Sequence, residues 1–233
     1  MELPNFLRGA DIVEILTGKP VALAPDVMVA IARYRHRVFI EKLGWELSAR
    51  NGLELDQFDH AETLYVAARD ASGEIVGTAR LLPTERPYLL GEVFPQLMGD
   101  AEPPCDPLVW ELSRFAAADF FSGNGDALSQ FSSPVAVELL EAVLTEAARH
   151  GIRRLITVSP LGIERLLRRY GFQARRAASP QLVGGQPVFA CWIEVGAGAR
   201  KYPEFIPARS HALHSRIPPS AERLSRHRST TMP

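Results

Sequence analysis

Apolar residues at helical spacing begin shortly after Asp26, where Val29, Ile31, Ala32, Val38 and Phe39 predict a helix to about Lys42. Asp26 reads as its cap and Gly44 as its break. A polar, acidic stretch over 46–62 reads as a linker. Residues 64–69 and 75–82 have strand character and flank a turn at 70–73, which predicts a hairpin. Residues 84–107 hold five prolines and two glycines, a long excursion with a short helix near 93–98. A strand over 108–115 precedes a Gly/Ser-rich loop. Ser133 and Pro134 then open a helix to His150, striped by Val137, Leu140, Val143, Leu144 and Ala147 and stopped by Gly151. A strand over 154–159, a helix over 161–170 ended by Gly171, and strands over 172–176 and 187–195 complete the periodic part.

This order predicts one mixed central sheet with helices on both faces, an α/β (α+β) three-layer sandwich. Residues 1–200 read as a single domain, and 201–233 as a basic, Ser/Pro-rich tail, loosely ordered. With RRYGF from Arg168 to Phe172, the order resembles the GNAT acyltransferase fold. The usual CoA-pyrophosphate loop of that superfamily, Q/R-x-x-G-x-G/A, has no match from Phe131 to Val135. The backbone N–H cradle for phosphates is therefore missing.

Composition narrows the class. No apolar run approaches the roughly 18 residues of a membrane span, and the first ten residues lack a secretory pattern, so a cytoplasmic location is expected. Cys105 and Cys191 lie far apart with no ligand spacing around them, so both read as free structural thiols and no metal site is expected. The net charge of −1 divides into about +4 for the tail, with six Lys/Arg against two acids, and about −5 for the rest. A solvated extension explains the tail without nucleic acid or membrane as a partner.

Three segments place polar chemistry where a core does not need it. RYRHRVFIEKLGW sets Arg35 and Phe39 on one helix face with Trp45 past the glycine; DQFD supplies Asp56 and Asp59. In WELSRF, strand alternation puts Glu111, Ser113 and Phe115 on one face and Arg114 on the other. Arg80 is an isolated charge in an apolar strand, either part of a buried network or paired with Glu111.

Arg35, Phe39, Trp45, Asp56, Asp59, Arg80, Glu111 and Arg114 stand in the order and spacing of the LuxI-type acyl-homoserine-lactone synthases, which this chain resembles from about Ile31 to Phe172. The resemblance implies acylation of the S-adenosylmethionine amine by an acyl thioester, then lactone closure with release of methylthioadenosine. S-adenosylmethionine is then a substrate, and no cofactor is required. Arg35, Phe39, Trp45, Asp56, Asp59, Arg114 and Phe115 would bind it, with Glu111, Arg114 and Asp56 as catalytic residues and Glu111 as first choice of base. Phe94, Trp110, Thr157, Val158, Leu161 and Trp192 are expected along an acyl-chain pocket. Arg149, Arg153, Arg154 and Arg168 could receive an acidic acyl carrier protein, the expected donor, or the phosphates of acyl-CoA. The rival readings are a GNAT-type enzyme that acylates another amine, and a non-catalytic module that retained the fold.

Overall fold

The computed structural model describes residues 13–117 and 133–196. In chain order these form β1 (Glu14–Gly18), α1 (Pro25–Arg35), a π-helical segment (His36–Lys42), β2 (Ala49–Arg50), β3 (Leu53–Glu54), β4 (Leu64–Arg69) and β5 (Ile75–Pro83). They continue with α2 (Leu89–Val93), a 3-10 turn (Pro95–Met98), β6 (Val109–Ala116), α3 (Pro134–Arg149), β7 (Arg154–Pro160), α4 (Ile163–Arg169), β8 (Ala174–Arg176), β9 (Gln181–Val183) and β10 (Gln186–Glu194).

One mixed sheet runs β1-β4-β5-β6-β7-β10-β8, with β9 also paired to β10. Every pairing is antiparallel except β6 with β7, which α3 joins as a crossover helix. One face packs Leu64, Val66, Ala79, Leu81, Leu155 and Phe189 against α3 and α4 through Leu139, Val143, Ile163 and Leu167. The opposite face holds two clusters. Tyr65, Ala67 and Ala116 meet Ile31, Tyr34 and Val38. Leu82, Val109, Ile156 and Trp192 meet Leu90, Leu97 and Met98. The three-layer arrangement expected from the sequence is therefore present.

Three local readings change. Helix α1 starts earlier than expected: Ala24 is the N-cap, Pro25 takes the first helical position and Asp26 lies in the first turn. Pro25 suits that position because an N–H there would have no partner within the helix. The helix then widens into the π-helical segment after Arg35. The stretch read as a linker contains the β2–β3 hairpin, whose two turn residues Asn51 and Gly52 have φ of 55° and 71°. That is the Asn-Gly turn that favours two-residue hairpins. Strands β1 and β9 were not anticipated; β1 forms the edge beside β4. The basic tail at 201–233 lies outside the described residues.

Candidate active site

Six ionised side chains meet on the α1 face of the sheet. Arg35 closes α1, Arg80 sits mid-β5, Arg114 lies on β6, Glu54 ends β3, and Asp56 and Asp59 follow it. Arg35 donates from Nε to Glu54 and from Nη1 and Nη2 to Asp59, at 2.7 and 3.0 Å. Arg80 grips Asp56 at 2.6 and 3.2 Å, reaches Asp59 at 3.1 Å, and donates from Nε to Ser113 Oγ at 3.0 Å. Arg114 donates from Nη2 to both Glu54 and Asp56 at 2.8 Å. Three cations thus balance three anions, all nearly removed from water. Such a cluster holds because each desolvated charge keeps its partners.

The ionisation of the cluster follows from its geometry. Burial alone would raise the Asp59 carboxyl, but hydrogen bonds and charge from Arg35, the charge of Arg80 and the Tyr65 hydroxyl hold it well below the usual range. Glu54 is also lowered: Arg114 and Arg35 outweigh its burial. Tyr65, buried and donating to Asp59 at 2.6 Å, is pushed well above the ordinary phenol value. The carboxylates have little left to offer a ligand. Asp59 accepts from Arg35, Arg80, Tyr65 and the Asp56 N–H, and Asp56 accepts from Arg80, Arg114 and the Phe58 N–H. Among the described residues, Arg114 Nη1 is the one nitrogen of the three guanidinium groups that donates no hydrogen bond.

Arg114 joins this cluster because β6 is irregular. Arg80 pairs with Ser113, yet Thr78 pairs with Ala116, so β6 carries one extra residue in the interval. Arg114 takes φ of 51°, in the left-handed region. This bulge reverses the expected alternation. Ser113 and Arg114 both address the α1 face, whereas Phe115 packs towards α3. The expectation that Arg114 faces away from Ser113, and that Phe115 joins Glu111, is corrected accordingly. The proposed Arg80–Glu111 pair is not formed either, since Arg80 is committed to Asp56, Asp59 and Ser113.

Glu111 is fully buried and accepts from the N–H groups of Leu90 at 2.7 Å and Leu89 at 3.0 Å, in the first turn of α2. Burial raises its carboxyl to about 7, against the lowering effect of those amides and of the charges on Arg80 and Arg114. It anchors the proline-rich excursion to the sheet.

Beside the charge cluster the sheet opens. The parallel register of β6 and β7 ends at Glu111 and Ile156, and the strands part beyond it. The gap is a mainly apolar cavity of about 100 Å³ that reaches both faces: Phe39, Leu43 and Trp45 border it on one side, Leu140, Ile163 and Leu167 on the other. Leu112, Phe115, Thr157 and Val158 form its walls. Phe39 stacks on Trp45 at 5.0 Å between ring centroids, and the Arg114 guanidinium lies 5.6 Å from the Phe39 centroid.

Of the residues expected along an acyl pocket, Thr157 and Val158 line this cavity, whereas the other four lie outside it. Phe94 and Trp192 pack under the 3-10 turn, Trp110 tilts on His150, and Leu161 is exposed. Arg149 ends α3, Arg153 follows in the connection and Arg154 opens β7, away from the half of that strand that borders the cavity. Arg149 pairs with Glu146, Arg154 lies 4.8 Å from the Trp192 ring centroid, and Arg168 on α4 donates to the Ala174 carbonyl. Cys105 and Cys191 are free, as expected. Glu54 was missed by the sequence reading, although the Asn51-Gly52 turn before it marked a hairpin whose last residue it is.

A mixed sheet parted between two parallel strands, with helices on both faces and a polar cluster at the opening, is a GNAT-like fold, and the chain is an acyltransferase. A family model described as autoinducer synthase matches residues 25–201, and the chain belongs to that family. The acyl-homoserine-lactone synthase of Acinetobacter nosocomialis is 51% identical over 162 residues, 70% of this chain and 88% of the relative. Among solved structures, TofI in a ternary complex with an inhibitor and MTA is 43% identical, with a TM-score of 0.67, covering 78% of this chain and 91% of that one. BjaI, a CoA-dependent acyl-homoserine lactone synthase solved with SAM and isopentyl-CoA, is 26% identical with a TM-score of 0.68, covering 79% of this chain and 83% of that one.

Proposed function

We propose that this acyl-homoserine-lactone synthase takes S-adenosylmethionine as acyl acceptor and an acyl carrier protein thioester as donor. The observation that carries the reading is the Arg114 guanidinium, whose Nη1 donates no hydrogen bond among the described residues and whose central carbon lies 5.6 Å from the centroid of Phe39, a lining residue of the apolar cleft. A guanidinium donor is suited to a carboxylate, and the Phe39 and Trp45 rings are suited to a sulfonium cation. Glu54 and Asp56 hold Arg114 in place while Asp59 is taken up by Arg35 and Arg80, which leaves direct contact with substrate to Arg114 and the aromatic pair.

In the first step the neutral α-amine attacks the thioester carbonyl, the C–S bond breaks, and the amine proton leaves as the thiolate departs. An α-amine of ordinary pKa, about 8, carries a useful neutral fraction near pH 7. Glu111, raised to about 7, is matched to accept its proton. Its burial means that a relay must carry the proton. In the second step a methionyl carboxylate oxygen attacks the γ-carbon and the C–S⁺ bond breaks, releasing neutral methylthioadenosine. That ring closure needs no base; holding the chain bent supplies the advantage.

The start of α3 favours the carrier-protein donor. Ser133 Oγ already accepts the Ala136 N–H at 3.1 Å, so this helix end offers one N–H fewer to a phosphate. The test is mass spectrometry of purified protein with S-adenosylmethionine and matched acyl-carrier-protein and acyl-CoA donors. Lactone and methylthioadenosine should appear together, faster from the carrier protein. Faster turnover of acyl-CoA would reverse the donor assignment, and absence of both products with every donor would remove the reading.

A further inference from the structure

The six charges of the candidate site close into a circuit. Arg35 joins Asp59 to Glu54, Arg114 joins Glu54 to Asp56, and Arg80 joins Asp56 back to Asp59. Cation and anion alternate around it, so Asp59 stands opposite Arg114. All three anions come from the end of β3 and the segment after it, whereas Arg80 and Arg114 come from the central sheet. At Asp59 the circuit meets a donor that carries no charge: Tyr65 of β4 gives its hydroxyl to Asp59 Oδ1 at 2.6 Å. Tyr65 stands in register with Arg80, and Arg80 with Ser113, which accepts from Arg80 Nε. Three neighbouring strands thus set Tyr65, Arg80 and Ser113 in one row across the sheet.

We infer that Tyr65 is a positioning residue for Arg114: its hydroxyl fixes the circuit at the point opposite Arg114 and so sets where the Arg114 guanidinium points. The physical reason is closure. From Asp59 one route to Arg114 runs through Arg35 and Glu54, and the other through Arg80 and Asp56. Every link joins groups nearly removed from water, where an unpaired charge is costly, so each charge follows its partners. A carboxylate that turns at Asp59 therefore carries both neighbouring guanidinium groups with it, and these carry the two carboxylates that hold Arg114. Asp59 Oδ1 takes Arg35, Arg80 and Tyr65, and Oδ2 takes Arg35 and the Asp56 N–H. Without the phenol, the remaining side-chain donors to Asp59 among the described residues are the two arginines of the circuit, and the hold on β4 is lost. A phenol suits the place because it adds a donor without adding charge to a balanced set. Burial and the Asp59 charge keep it protonated, so the donor persists across the working pH range. The effect of Tyr65 on turnover rests on the proposed contact of Arg114 with substrate; its effect on Arg114 does not.

Two tyrosine variants test the assignment. Tyr65→Phe keeps the buried aromatic ring and removes only its oxygen. Tyr34→Phe is the matched control, since Tyr34 lies in the same apolar cluster and gives its hydroxyl to the Val76 carbonyl at 2.8 Å, outside the circuit. The Arg114 Nε–H signal in nitrogen-15 NMR, assigned through bonds from the Arg114 backbone, reports on the guanidinium because Nε donates to Glu54. In substrate-free protein Tyr65→Phe should shift that signal, and Tyr34→Phe should leave it in place. In steady-state turnover Tyr65→Phe should raise KM for S-adenosylmethionine about three- to tenfold with KM for the acyl donor unchanged. That is below the roughly tenfold or more expected of a direct hydrogen bond to a charged group, because Tyr65 acts through others. An Arg114 signal that stays put in Tyr65→Phe, or that moves equally in both variants, would overturn the inference. A signal that moves in Tyr65→Phe alone, with KM for S-adenosylmethionine unchanged, would uphold the positioning of Arg114 and instead remove its proposed contact with substrate.

Discussion

On the α1 face, six charges fix one another through directional hydrogen bonds, and few of their donors or acceptors are left over. A few residues along β6, the cleft is bordered by Leu112, Leu140, Ile163, Leu167 and Ile193, which meet by shape alone. The difference lies in tolerance. A charge cluster out of water loses heavily when one member is removed, because its partners keep their charge and lose their compensation. An apolar wall loses in proportion to the atoms deleted. One region can define a single acceptor while the other varies in size.

The largest expected effect comes from breaking the cluster at Glu54, which joins Arg35 to Arg114. Glu54→Gln should cost about 3–5 kcal/mol in urea unfolding, the range for a buried pair stripped of one partner. A loss below about 1 kcal/mol would mean that the cluster is more hydrated than its burial implies.

Glu111 separates the regions by pH. Its carboxyl is higher in the folded chain, at about 7, than its ordinary 4.5, so the folded state holds the proton more tightly. Its contribution is complete below 4.5 and declines as pH rises through 7, by roughly 3 kcal/mol. Glu54 and Asp59 are lowered, so their contribution has the opposite sign: present above the ordinary carboxylate range and lost as pH falls through it. Unfolding free energies at pH 5 and pH 8 should show the decline in the parent and a flatter response in Glu111→Gln. An equal decline in both would assign it elsewhere.

What the sequence made legible follows the same division. Strands β4, β5 and β7 and helix α3 repeat their apolar positions with regular period, and their places were readable. The members of the charge cluster were recognisable by spacing, except Glu54. Its two-residue strand is too short for any period to register, so only the Asn51-Gly52 turn announced it. The pointing of Arg114 and Phe115 was not readable, because alternation assumes an unbroken pleat and one extra residue in β6 reverses it. The cavity failed for a related reason. Trp110 and Trp192 look like cleft residues by size and phase, but the strands part only beyond Glu111 and Ile156, which places both before the opening.

A smaller effect is expected inside the cleft. Leu140 is buried on α3 and borders existing space, so Leu140→Ala should lie near the lower end of the usual range, about 2 kcal/mol. Given a mixture of acyl donors, the variant should shift its products to longer chains while the dependence on S-adenosylmethionine stays as it was. A shift in the acceptor's KM with no change in product length would show that the two regions are not separable.

The smallest effect probes the residue they share. Phe39 lies beneath the Arg114 guanidinium on one side and stacks on Trp45, which is half-exposed, on the other. If the rings act as one wall, Phe39→Leu and Trp45→Leu should not be additive. Their coupling in a double-mutant cycle should be about 0.5–1.5 kcal/mol, the range for stacked aromatic pairs. Measured on kcat/KM for the acceptor, the same cycle should give coupling of similar size, because either substitution alone already opens the wall that faces the cation. Additive losses in stability together with additive losses in activity would show that Trp45 borders the cleft without helping Phe39 to join it to the charge cluster.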